Sequence, residues 1–145
     1  MSGHPFLTGL TPRLLTELFG CDAAVRYPPG HRIFSEGGAA DHFWTIETGD
    51  VNLSLAVPGR GEQVLETIGP GEVLGWSWLY PPFRWRFGAT TRTEVVATEF
   101  DAALVRARCA ADPELGYEVL RRFVPVLGHR LTATRLRLLD LWGRP

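Results

Sequence analysis

The stretch HRIFSEGGAADHFWTIETGDV, residues 31–51, decides the fold. It holds two short apolar runs, RIF at 32–34 and FWTI at 43–46, which are separated by an acidic turn with two glycines. The run VNLSL at 51–55, which follows Gly49 and Asp50, alternates apolar and polar residues as a half-buried strand does. The stretch therefore predicts short antiparallel strands joined by tight turns.

The same pattern of short apolar runs separated by turn residues extends from residue 23 to residue 100. Turn signals recur about every 8–12 residues, a spacing typical of a β-sandwich or β-barrel. These signals are PPG at 28–30, EGG at 36–38, GD at 49–50, PGRG at 58–61 and GPG at 69–71. We therefore predict an antiparallel β-barrel or jelly roll over residues 23–100.

Helices are predicted on both sides of the barrel. Thr11 and Pro12 can cap and open a short helix that runs to about Gly20. A second helix opens at residue 101 and ends near residue 111, and DPE at 112–114 opens a long last helix. The predicted fold class is α+β, one domain over 1–145 with an N-terminal helical segment (1–22), the barrel (23–100) and C-terminal helices (101–145). We expect no DNA-binding domain after Trp142.

The last helix carries an apolar stripe at alternating steps of four and three residues, which is typical of a coiled-coil seam. Its members are Leu120, Val124, Leu127, Leu131, Thr134, Leu138 and Leu141. The sequence favours a homodimer through this seam. The alternative is that the stripe packs on the barrel, with Pro125 and Gly128 kinking or breaking the helix.

Composition excludes several function classes. The net charge of −1 provides no general attraction for nucleic acid. The last helix is rich in arginine, but acidic residues on the same helix offset part of that charge, so we expect no DNA binding. We expect no signal peptide, and the sequence holds no apolar run of the about 18–20 residues that span a membrane. Cys21 and Cys109 lack the spacing of a zinc site. These features predict a cytoplasmic protein without a membrane partner.

The stretch at 31–51, the turn Gly69-Pro70-Gly71-Glu72 and the closing helices together resemble the cyclic-nucleotide-binding domains. The layout is similar to the sensor half of the bacterial catabolite-activator type of regulator. This resemblance implies a phosphate-binding cassette in which a short helix and an arginine hold the cyclic phosphate and a glutamate accepts the ribose hydroxyl. It also implies a regulatory domain that is not an enzyme.

This sequence departs from the family pattern at both polar contacts. With the cassette glycine at Gly75, Trp76 stands in the glutamate position and Phe87 in the arginine position. Another register would let Arg84 or Arg86 reach the phosphate. The candidate ligand-binding residues are Gly75, Trp76, Ser77, Trp78, Arg84, Arg86, Phe87, Ala89 and Thr90.

Six of the sixteen aromatic residues lie between Trp76 and Phe87. The rings could line an altered pocket in which a flat ligand stacks and Arg84 or Arg86 meets an anionic end. No cofactor is certain, and a cyclic nucleotide or another anionic small molecule is the candidate. Alternatively, the rings fill the cavity and leave a dimerisation or interaction scaffold that binds no ligand. A third alternative, a metal-dependent cupin-type enzyme, would need clustered histidines, but His31 and His42 are eleven residues apart.

Overall fold

The computed structural model describes residues 3–142, with side chains omitted at 133, 134 and 137–142. A 3₁₀ turn at Pro5–Leu7 precedes helix α1 at Pro12–Phe19. The strands are β1 Asp22–Tyr27, β2 Arg32–Phe34, β3 His42–Thr48, β4 Val51–Val57, β5 Gly61–Ile68, β6 Val73–Leu74, β7 Gly88–Thr91 and β8 Val95–Asp101. A second 3₁₀ turn, Ser77–Leu79, lies between β6 and β7. Helices α2 Ala102–Ala111 and α3 Pro113–Trp142 follow β8.

The strands form two four-stranded sheets, β1-β8-β3-β6 and β2-β7-β4-β5, and every strand pair is antiparallel. This confirms the predicted α+β fold with a jelly-roll-like barrel between helices. Thr11 caps α1 by accepting a hydrogen bond from the Leu14 amide, and Asp101 caps α2 in the same way through the Leu104 amide. The predicted helix starts are therefore correct.

A stack of aromatic rings joins the first sheet to α3. Phe43 on β3 stacks on Phe100 with centroids 4.7 Å apart and on Trp78 at 4.8 Å. Phe123 on α3 meets Phe43 edge-on at 5.5 Å and Trp78 at 5.4 Å. Edge-to-face and offset-stacked pairs are the favoured aromatic geometries. This core fixes the first half of α3 against the barrel.

Helix α3 continues through Pro125 and Gly128, so the break considered with the barrel-packing alternative does not occur. A proline inside a helix removes one backbone hydrogen bond. Phe123 is fully buried and Val126 packs partly against the core, so tertiary contacts on either side of Pro125 hold the helix in place.

Candidate functional site

The cassette predicted at residues 75–90 begins with a tight backbone path after β6. Gly75 has φ of +97°, a conformation that residues with a Cβ rarely adopt. The 3₁₀ turn Ser77–Leu79 follows, and the Trp78 indole N–H donates to the Gly75 carbonyl at 3.2 Å. Glu72, just upstream, accepts a hydrogen bond from the Gly69 amide at 2.7 Å and thereby holds the preceding turn.

The segment after the Tyr80-Pro-Pro loop pairs with the glycine turn that follows β2. The Gly37 amide donates to the Trp85 carbonyl and the Trp85 amide donates to the Gly38 carbonyl, both at 2.8 Å. Because side chains alternate along an extended segment, Trp85 points inward while Arg84 and Arg86 are exposed. The polar–apolar–polar order Arg84-Trp85-Arg86 is a period-two signal that could have identified Trp85 from the sequence.

Trp85 fills the space between Gly75 and Phe34, which we call the cassette cavity. Its side chain is only 5% exposed, and its ring stacks on Phe34 with centroids 3.7 Å apart. A Cβ at Gly75 would lie 2.9 Å from the Trp85 ring, so the ring lies directly against the cassette backbone. The space left among Phe34, Leu53, Gly75 and Trp85 is about 10 Å³, which is room for about one water molecule.

The two residues in the expected ribose and phosphate positions contact each other. Trp76 and Phe87 meet edge-to-face with ring centroids 5.7 Å apart. Both rings border the filled cavity on one side. On the other side they border a second space, which opens toward α3.

We call this second space the outer groove. Its volume is about 330 Å³. The cassette contributes one wall and α3 contributes the other. The lining residues are Trp76, Tyr80, Arg86, Phe87, Leu127, Arg130 and Leu131.

Arg130 connects α3 to the barrel beside the groove. It is 4% exposed, and its guanidinium pairs with Glu66 on β5 through Nη1 and with Glu72 through Nη2 at 3.3 Å. His129 Nε2 lies 3.2 Å from the same Glu66 carboxylate. The buried Nε of Arg130 has no hydrogen-bond acceptor among the residues that the structure describes. The sequence alone did not identify Arg130 as a site residue. It is one of several arginines on α3 outside the apolar stripe, and such residues are expected to be exposed to solvent.

The remaining predicted site residues separate into different environments. Trp78 belongs to the aromatic core, and Ser77 is buried beside the filled cavity. Ala89 is buried in β7, where it pairs with Leu53, and the Oγ1 of neighbouring Thr90 is buried without a partner among the described side chains. Arg84 is exposed and forms a bridge to Ala39 through its backbone.

Within residues 3–142, no group of three or more His, Cys, Asp and Glu side chains is placed to hold a metal ion. None of the described helices is long and apolar enough to cross a membrane.

Comparison with known proteins decides the family. The model of the cyclic nucleotide-binding domain family matches residues 24–112, which include the cassette and all but the first two residues of the two sheets. The chain belongs to the cyclic nucleotide-binding domain family. The resemblance seen in residues 31–51 and 69–72 is thereby confirmed.

Relatives within this family extend the match to nearly the whole chain. A CRP-like cAMP-activated global transcriptional regulator of Mycobacterium tuberculosis is 32% identical over 133 residues, which are 92% of this chain and 58% of the regulator. The chain thus spans less than two thirds of that regulator's length.

Two solved structures share the fold. A cyclic nucleotide-binding domain from Methylobacillus flagellatus has a TM-score of 0.79 and 21% identity, covering 90% of this chain and 74% of that one. The regulatory subunit of a cAMP-independent protein kinase A from Trypanosoma brucei has a TM-score of 0.72 and 19% identity, covering 97% and 48%. That structure is a triple mutant, with one substitution introducing an arginine, bound to cAMP in its A site.

Proposed function

We propose that this chain is a non-catalytic regulatory domain that does not take a cyclic nucleotide into its cassette in the family's usual way. The observation that carries the proposal is Trp85, whose ring lies in the cassette cavity and leaves about 10 Å³. The regulatory role is supported by the M. tuberculosis relative, which is named as a transcriptional regulator.

The electrostatics of the cassette support the same conclusion. A cyclic phosphate carries one negative charge, and a buried charge needs a paired cation and hydrogen bonds. Phe87 offers neither in the phosphate position, and Trp76 has no carboxylate for the ribose hydroxyl. The loss of a charge-assisted hydrogen bond weakens binding by about 1.5–3 kcal/mol, or roughly ten- to a hundredfold, before the steric block by Trp85 is counted.

Titration calorimetry with cAMP and cGMP tests this proposal. We expect no binding by the natural chain up to about 1 mM nucleotide. The double variant Trp85→Ala/Phe87→Arg restores both space and charge and should bind cAMP, in the manner of the arginine-bearing T. brucei mutant. The matched control, Trp85→Ala/Phe87→Leu, restores only space and should bind at least tenfold more weakly. Micromolar binding of cAMP by the natural chain would refute the proposal.

We further propose that the domain is a homodimer through α3. Leu120, Val124 and Leu131 are 53%, 62% and 64% exposed, although they are large aliphatic side chains on one stripe. Leu127 on the same stripe is half-buried against the barrel. The stripe therefore packs partly on the barrel and is partly exposed to solvent. The side chains of Thr134, Leu138 and Leu141 lie outside the part of the structure that is described.

The oligomeric state is tested by light scattering at tens of micromolar protein. We expect a mass of twice 16.1 kDa for the natural chain and 16.1 kDa for Val124→Glu/Leu131→Glu. Leu136 is 61% exposed but lies off the stripe, so Leu136→Glu is the matched control and should stay dimeric. A monomeric natural chain would contradict the dimer.

A further inference from the structure

Strand β1 lies at an open edge of the first sheet. Within residues 3–142, β1 pairs with β8 alone, and β8 separates it from β3. Ala23 and Ala24 are both exposed, and because neighbouring side chains point to opposite faces, both faces in the middle of β1 are accessible to solvent. An edge strand presents unpaired N–H and C=O groups that can pair with a further strand.

The register determines which backbone groups of β1 are free. The Asp101 amide donates to the Cys21 carbonyl at 2.8 Å, and these two residues lie opposite each other when the β1–β8 register is extended by one residue. In an antiparallel ladder, residues that exchange hydrogen bonds with the partner strand alternate with residues whose N–H and C=O groups point away from it. Asp22, Ala24 and Arg26 therefore direct their backbone groups to the open edge.

The charges on β1 are complementary in an antiparallel pairing of two copies. In a two-fold pairing centred on Ala24, Asp22 of one chain lies opposite Arg26 of the other, and the same pair forms at the other end. Opposite charges that face each other across two strands stabilise the pairing. Among the described residues Asp22 has no ion-pair partner, and Arg26 pairs at 2.9 Å with Glu94, where both side chains are more than half exposed.

The other edge strands do not offer this complementarity. Within the described part of the chain these are β2 and β6, with three and two residues, and β5, with eight. Strand β5 carries Glu62 and Glu66 and no basic residue, so a pairing of two copies brings like charges together. Strand β1 is therefore the edge whose length and charges favour a second copy of this chain.

We propose that the edge of β1 is an interaction surface for a second copy of this chain, which adds its own β1 in antiparallel register about Ala24. The two first sheets then form one continuous sheet. This surface shares no residue with the apolar stripe of α3, so it goes beyond the proposed dimer and links such dimers into larger assemblies. A pairing of two six-residue strands is smaller than a standard interface, and we expect a dissociation constant of about 0.1–1 mM.

The test is sedimentation equilibrium on the whole chain carrying Val124→Glu/Leu131→Glu, so that the α3 stripe does not contribute. Asp22→Arg places two arginines opposite each other and Arg26→Asp places two aspartates, so each should weaken self-association about tenfold. The double variant Asp22→Arg/Arg26→Asp restores opposite charges and should recover the original affinity. The matched control is Arg60→Asp in the exposed turn between β4 and β5, which makes the same charge change away from β1 and should have no effect.

Amide hydrogen exchange on the natural chain provides a second measurement. The amides of Asp22, Ala24 and Arg26 should exchange slowly at about 1 mM protein and fast at about 10 µM, whereas those of Ala23 and Val25, which face β8, should not depend on concentration. A double variant that associates no more tightly than either single variant would overturn the proposal. An absence of self-association at about 1 mM would leave the edge to a strand of another protein, and slow exchange at every concentration would show that the chain itself covers it; either result also overturns the proposal.

Discussion

Replacing Trp85 with alanine should destabilise the domain and leave a cavity that accepts a flat apolar molecule. An aromatic side chain of this kind buries about 150–250 Å². At roughly 25 cal/mol per Å², a side chain that is only 5% exposed contributes about 4–6 kcal/mol, an upper estimate. Large-to-small substitutions of buried Trp or Phe cost about 3–5 kcal/mol. We therefore expect the free energy of unfolding to fall by about 3–5 kcal/mol.

The assay is urea denaturation followed by circular dichroism, with and without free indole. Indole should recover part of the lost stability in Trp85→Ala, because a ligand that binds only the folded state stabilises it by mass action. The matched control is Arg84→Ala, a neighbouring exposed residue, which should change the free energy of unfolding by less than about 0.5 kcal/mol. A loss below about 1 kcal/mol for Trp85→Ala, with no effect of indole, would refute the view that Trp85 plugs the cassette.

Three further results follow from individual contacts. Arg130→Ala should lower the free energy of unfolding by about 3 kcal/mol in urea titrations, because the Glu66 carboxylate loses its buried arginine partner. A change below about 1 kcal/mol would show that this ion pair contributes little to stability. Hydrogen bonds from Arg121 and a neighbouring arginine lower the pKa of Glu118 to about 2. The stability from this carboxylate is therefore present above its unfolded pKa of about 4.3 and is lost as the pH falls toward 2, so Glu118→Gln should flatten the acid limb of a stability profile; parallel profiles would contradict this. Burial raises the pKa of the Cys109 thiol to about 11, so iodoacetamide at pH 8 should label it far more slowly in the folded chain than in urea; equal rates would exclude this burial effect.

The sequence was sufficient to predict the barrel and the helix starts, because these depend on local signals. Thr11 and Asp101 are caps whose side chains act on amides three residues away. The strand at 51–55 follows its predicted alternation as far as Leu53, after which a register shift buries Ser54 and leaves Leu55 half-buried. The sequence predicted a long last helix, but its local signals left the continuity of α3 at Pro125 open. Pro125 is a local signal for a break, and the packing of Phe123 that outweighs it is a contact between distant residues.

The candidate site was predicted in part. The cassette position and the aromatic character of Trp76 and Phe87 were visible in the sequence. The order Arg84-Trp85-Arg86 could have indicated an inward Trp85, but the place that its ring occupies depends on pairing with Gly37 and Gly38, about 47 residues earlier in the chain. Arg130 was missed for the same reason, since its partner Glu66 lies 64 residues away.

The filled cassette shows how this fold can persist without its usual polar contacts. Gly75 keeps a backbone conformation that leaves no room for a side chain, and the space that it opens is occupied by the Trp85 ring. The Trp85 ring makes its apolar contacts whenever the domain is folded. Its side chain loses conformational freedom once, during folding, whereas a separate ligand loses freedom each time it binds. Under the proposed function, a ligand does not switch this domain by filling the cassette.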